Sequence, residues 1–120
     1  MFELTLQPSF KLWLSNSKGD YVIGKGGANL LKAIDETHSL VKATELLPKK
    51  ISYRKAWGML QKIKQNIGGL SPVEASAGGK GGGGKTILTE AGKNLLETYL
   101  EFERIMDQAN KRFQKKMKEK

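Results

Sequence analysis

The chain has 120 residues, no cysteine and a formal net charge of +9 at neutral pH. That length suits one domain with a modest core, and the absence of thiols excludes disulfides and thiolate metal sites. No stretch has the apolar length of a signal peptide or a membrane span, so a cytoplasmic protein with no membrane partner is expected.

Phe10, Leu12 and Leu14 alternate with Lys11, Trp13 and Ser15, which is the period of a strand. Residues 16–20 have turn composition and residues 21–23 resume an extended apolar run, so an N-terminal β-hairpin is expected. Trp13 reads as a packed or dimer-facing aromatic rather than a ligand platform. The glycine cluster at 24–27 breaks the pattern, and Leu30, Leu31 and Ile34 then mark a first helix at about 28–37. Asp35 and Glu36 are adjacent, so on a helix they point about 100° apart and read as solvated charges, not a carboxylate dyad. His38 is the only histidine and has no cysteine partner, which fits a helix junction better than a metal site. Ser39 is a good N-cap for a second, short helix at 40–47, with Val41, Ala43, Leu46 and Leu47 as its apolar positions. Pro48 stops it.

Residues 48–51 form a short turn into the stretch 52–68, SYRKAWGMLQKIKQNIG. Ala56, Leu60, Ile63 and Ile67 share one helical face there, while Arg54, Gly58, Gln61 and Gln65 fall opposite and Lys55 and Lys62 lie on a flank. Ser52 can cap this helix, and Gly68–Gly69 can end it in a left-handed turn. Two short helices around a tight turn, the second with a basic outer face, are the pattern of a helix-turn-helix. The charge supports this. Residues 1–45 hold five acids and five lysines, and residues 74–120 hold ten bases and seven acids. Residues 46–73 hold no acid and six bases: Lys49, Lys50, Arg54, Lys55, Lys62 and Lys64. A polyanion binder concentrates charge in this way.

Residues 72–77 and 86–88 read as two short strands joined by the loop GGKGGGGK, that is, a wing. Its backbone can approach phosphates closely, and Lys80 and Lys85 supply charge. Thr89 caps a final helix at 90–118. Leu95, Tyr99, Phe102, Met106, Ala109 and Phe113 form a heptad seam along it, and the helix outruns a small domain, so its distal seam is expected to meet a second copy.

Residues 79–86 also match the phosphate-loop pattern G-x-x-x-x-G-K-[ST]. Such a loop must open a helix at its lysine, whereas residues 86–88 read as extended, so nucleotide chemistry is not expected. With no other catalytic set in view, the chain reads as a non-enzyme without cofactor or metal.

SYRKAW at 52–57, GGKGGGG at 78–84 and LTEAG at 88–92 together resemble the N-terminal DNA-binding domain of ModE-type molybdenum-responsive transcriptional regulators. The similarity extends upstream through LLKAIDETHSLVKATELL and covers about 10–99. It implies a winged helix-turn-helix that binds operator DNA as a dimer, with the last helix contributing to the dimer. Members usually have a polar or acidic residue after the tryptophan, where this chain has Gly58. Full-length members carry molybdate-binding domains that these 120 residues do not include, so direct molybdate sensing is not implied.

The expected fold is therefore mainly α with small β: a winged helix-turn-helix with an N-terminal hairpin and a long C-terminal dimerisation helix. The expected function is sequence-specific binding of double-stranded DNA in transcriptional regulation, by a homodimer whose effector is unknown. Arg54, Lys55, Gln61, Lys62 and Gln65 are the expected base and near-base contacts. Ser52 and Tyr53 join them at the helix start, Tyr53 through its hydroxyl to a phosphate. Lys49 and Lys50 hold the backbone from the turn, Lys80 and Lys85 hold the wing, and Trp57 braces the helix against the first two. The alternatives are a sequence-tolerant architectural DNA- or RNA-binding protein, and a protein-interaction module with an incidental basic face.

Overall fold

The computed structural model describes residues 6–76 and 84–118. These are mainly helical, with four helices and two small antiparallel hairpins. The first hairpin pairs β1 (Trp13–Ser15) with β2 (Tyr21–Gly24), Leu14 opposite Ile23. The Asn16 side-chain oxygen accepts from the amides of Lys18 and Asp20, each at 3.0 Å, and so closes the turn expected there. β2 delivers Val22 and Ile23 to the core.

Helix α1 (Lys25–Thr37) starts at residue 25, earlier than the expected 28. The glycines do not break the chain; they form the first turn. A Cβ on Gly27 would lie 2.8 Å from Ile23 Cγ1, so glycine lets α1 begin hard against β2. Leu30, Leu31 and Ile34 are buried, and Asp35 and Glu36 are exposed. His38 ends α1 in the left-handed region at φ 55°, its amide donating to the Ile34 carbonyl at 2.7 Å. It is the junction residue that its isolation suggested.

Helix α2 (Leu40–Leu46) is capped by Ser39, whose hydroxyl oxygen accepts from the Lys42 amide at 3.2 Å. Its inward stripe is Leu40, Ala43 and Thr44, with Leu47 packed beside it. Val41 and Leu46, expected inside, are exposed. Helical angle decides burial in a two-turn helix, and residues 40, 43, 44 and 47 share the angle that Val41 and Leu46 do not.

Helix α3 (Tyr53–Asn66) buries Ala56, Leu60 and Ile63 in the same core. Gly68 and Gly69 follow at φ 74° and 81°, and the Gly69 amide donates to the Lys64 carbonyl at 2.9 Å. This is the left-handed exit their sequence implied. The second hairpin pairs β3 (Val73–Ser76) with β4 (Lys85–Leu88), from Val73 opposite Leu88 to Ser76 opposite Lys85.

Helix α4 (Glu90–Lys118) is locked to the chain before β3. The Thr89 hydroxyl donates to the Ser71 carbonyl at 2.6 Å and accepts from the Gly92 amide at 3.1 Å. The Thr89 amide donates to the Pro72 carbonyl at 3.0 Å. A Cβ at Gly92 would overlap that same Pro72 oxygen, so this crossing requires glycine. Among the α4 residues only Gly92, Leu96 and Tyr99 are buried. Beyond Tyr99 none of the expected seam positions is buried, and the two flanks of the helix differ. One flank meets the chain's own N-terminal segment: residues 8–13 share a cleft with Tyr99, Glu103, Asp107 and Asn110, and residues 6–8 share another with Gln114 and Met117. The other flank, with Phe102, Ile105 and Phe113, is exposed.

Candidate nucleic-acid interface

The centre of the site is the outer face of α3. Three buried side chains at 56, 60 and 63 fix the rotation of this helix. With 100° per residue, that rotation turns Arg54, Gly58 and Gln65 outward, and all three are exposed. Gln61 is half-buried on the same side. Lys55 and Lys62 are exposed on the flank. The Ser52 hydroxyl oxygen accepts from the Lys55 amide at 3.0 Å, which satisfies one of the free donors at the start of α3. Ser52 is thus the N-cap and sits at the surface beside Tyr53, itself exposed.

Two ties set the helix in place. Asn66, at its last turn, donates to the Tyr21 carbonyl at 2.8 Å, and Asn16 donates to the Asn66 carbonyl at 3.1 Å. The end of α3 is therefore fastened to the first hairpin by two carboxamides. Its start is held by the turn from α2. Lys49 and Lys50 are exposed in that turn, and Lys49 shares a cleft with Lys55 and Met59. Lys62 lines the neighbouring cleft, with Met59 common to both. The structure thus places Lys49, Lys55 and Lys62 along one edge of α3.

The electrostatics are one-sided. Among the described residues the ion pairs are Lys25–Glu103 at 2.8 Å and Arg104–Glu101, and both involve α4. The hydrogen bond to Glu103 holds the Lys25 ammonium above its ordinary pKa. None of Lys49, Lys50, Arg54, Lys55, Lys62 and Lys64 has such a partner. Lys64 is half-buried on the opposite flank of α3, while the other five stand on its outer face, its edge and the turn before it, and cations gathered without a counter-charge raise the local potential and attract polyanions.

The second hairpin is anchored near this surface's scaffold. The Thr86 amide donates to the His38 carbonyl at 3.0 Å, which ties β4 to the corner between α1 and α2. Lys85 opens β4 and is exposed. Lys80 lies outside the described residues. Lys85 and Thr86 are on an antiparallel strand and the next helix starts at Glu90, so the phosphate-loop match lacks the helix such a loop must open.

Trp57 departs from expectation. It is 49 % exposed, so it is not buried between α3 and the first two helices. It follows Ala56 by one residue, about 100° around the axis, which carries it past the edge of the buried stripe. With Tyr53 it leaves an aromatic flank beside Arg54. The hydrophobic weight of tryptophan suggested the interior; its helical angle contradicted that and was the better guide. The link Asn16–Asn66–Tyr21 had no signal in the sequence.

No protein-family model matches the chain, and no curated protein matches it significantly.

Proposed function

We propose that this chain is a sequence-specific, double-stranded-DNA-binding transcriptional regulator built as a winged helix-turn-helix and active as a homodimer. The observation that carries the reading is the acid-free set of unpaired cations around an outward-facing Arg54 on a helix whose opposite face is locked into the core. In this reading α2 and α3 are the helix-turn-helix, and α3 enters the major groove. Arg54, Lys55, Gln61, Lys62 and Gln65 meet base edges and nearby phosphates, a guanidinium or carboxamide reading a base by paired hydrogen bonds. Ser52 and Tyr53 offer hydroxyls to the backbone at the helix start, and Lys49 and Lys50 neutralise phosphates from the turn. The β3–β4 hairpin is the wing, with Lys80 and Lys85 on the adjacent backbone or minor groove. The resemblance to ModE-type DNA-binding domains supports the same assignment.

The exposed flank of α4 supports the dimer. Phe102, Ile105 and Phe113 lie three and eight residues apart on one side of a helix, uncovered by the chain itself. Two α3 helices related by a two-fold axis would meet half-sites about 34 Å apart, so the preferred duplex is near-palindromic.

A second reading rests on the exposed Tyr53 and Trp57, which offer stacking faces to unpaired bases. It makes the chain a sequence-tolerant RNA- or DNA-binding protein. Selection from a random duplex pool at physiological salt separates the two. The regulator enriches a near-palindromic motif, with a log–log salt slope of about −7 if each subunit engages about four phosphates. Recovery of no motif, or stronger retention of single strands, would refute it.

A further inference from the structure

Gly58 occupies the middle of the exposed face of α3, between Arg54 and Gln61. At three other glycines the fold supplies a reason: Gly27 lies against Ile23, Gly92 against Pro72, and Gly68 forms a left-handed turn. Gly58 has no such reason. Its φ is not positive, and a Cβ built there meets nothing within 4 Å. In a helix interior glycine is the least favourable residue after proline, because it loses the most backbone freedom on folding. The folded monomer thus bears a cost at position 58 with no return in packing or turn geometry.

The return lies outside the monomer. On a helix, residues three and four positions away are surface neighbours, so the notch at 58 is walled by Arg54, Lys55, Gln61 and Lys62. These are four of the residues assigned above to DNA. A helix with its side chains is about 10–12 Å across, and the major groove is about 12 Å wide. The helix has little room to spare, and its depth in the groove is set by whatever projects furthest from its outer ridge.

We infer that Gly58 is the depth-setting, specificity-determining position of this face: the α3 backbone closes onto the base-pair edges there, bringing Arg54 and Gln61 within hydrogen-bonding reach. This rests on the DNA-binding reading. The notch takes a flat base-pair edge, including the projecting methyl group of thymine, which a side chain at 58 would hold off.

The test is a series at one position, Gly58→Ala, Gly58→Val and Gly58→Leu, on the full chain. Binding is measured by fluorescence anisotropy against the selected duplex and against a scrambled one. Thermal unfolding of each variant is followed by circular dichroism. Gly58→Ala is expected to raise Tm by about 3–5 °C, since it relieves the helix without meeting any neighbour. The same variant is expected to weaken the selected duplex at least tenfold, and Gly58→Leu at least a hundredfold. Binding to the scrambled duplex, which depends on lysines at longer range, should change less than threefold. If the unmodified protein prefers the selected duplex but Gly58→Ala and Gly58→Leu bind it equally well, the inference about Gly58 fails and the DNA-binding reading stands. If the unmodified protein has no preference for any duplex, both fall.

Discussion

Gly92→Ala separates a steric requirement from a helix preference. By intrinsic preference, alanine in a helix gains about 1 kcal/mol over glycine. At position 92 the new methyl group would overlap the Pro72 carbonyl oxygen, which already accepts the Thr89 amide at 3.0 Å. The start of α4 must move away, straining that bond and the neighbouring 2.6 Å bond from the Thr89 hydroxyl to the Ser71 carbonyl. Two weakened hydrogen bonds cost about 1–3 kcal/mol, and forcing a group into filled space costs a similar amount. After the helix gain, a net loss of about 1–5 kcal/mol is expected. Urea unfolding followed by tryptophan fluorescence would show it as a lower midpoint at similar slope, a drop of about 0.5–2.5 M at a slope of about 2 kcal/mol/M. Gly58→Ala is the internal control, identical in chemistry but expected to raise stability. A Gly92→Ala protein as stable as the parent would refute the requirement for glycine at this crossing.

Arg54→Ala should cost about 1–3 kcal/mol of binding and relax preference at one base pair, while Lys49→Ala weakens all duplexes alike and lowers the salt slope; competition binding at two salt concentrations distinguishes them. Ile105→Glu places a charge on the exposed flank of α4, so sedimentation should show a shift from dimer to monomer with the helical content unchanged. Lys25→Met removes the ion pair to Glu103. The lysine is 64 % exposed, so the loss is at most about 1 kcal/mol. Because the folded pKa of Lys25 is raised, that contribution is present below the ordinary lysine value of 10.5 and disappears as pH climbs through the higher folded value. Parent and variant should therefore converge in stability only at strongly alkaline pH, measured by denaturation at fixed pH values.

The features that the chain declared in advance are those settled within a few residues. Ser39, Ser52 and Thr89 each cap the helix that follows, because capping needs only the next three amides. The outward turn of Arg54 was legible because one buried stripe fixes every other angle on α3. The misreadings involve contacts that local composition does not encode, or an angle passed over in favour of hydrophobicity. The glycines at 26 and 27 look like a break, but both lie in the first turn of α1, and at Gly27 the close approach to Ile23 requires one. Val41 and Trp57 were assigned to the interior by residue type. The N-terminal segment shares a cleft with the end of α4, beside the expected seam, between residues about a hundred positions apart. The carboxamide clasp at the end of α3 likewise joins positions 50 and 45 residues apart.

The uncompensated cations around α3 have a consequence for the protein alone. Like charges held together by a fold repel one another, and dissolved ions screen that repulsion. Added salt should therefore toughen the solitary molecule against heat while it loosens any grip on a polyanion. Heparin or duplex at low ionic strength should toughen it far more, since mass action favours whatever the ligand prefers. The melting temperature of this chain is, in that sense, a gauge of what lies against its third helix.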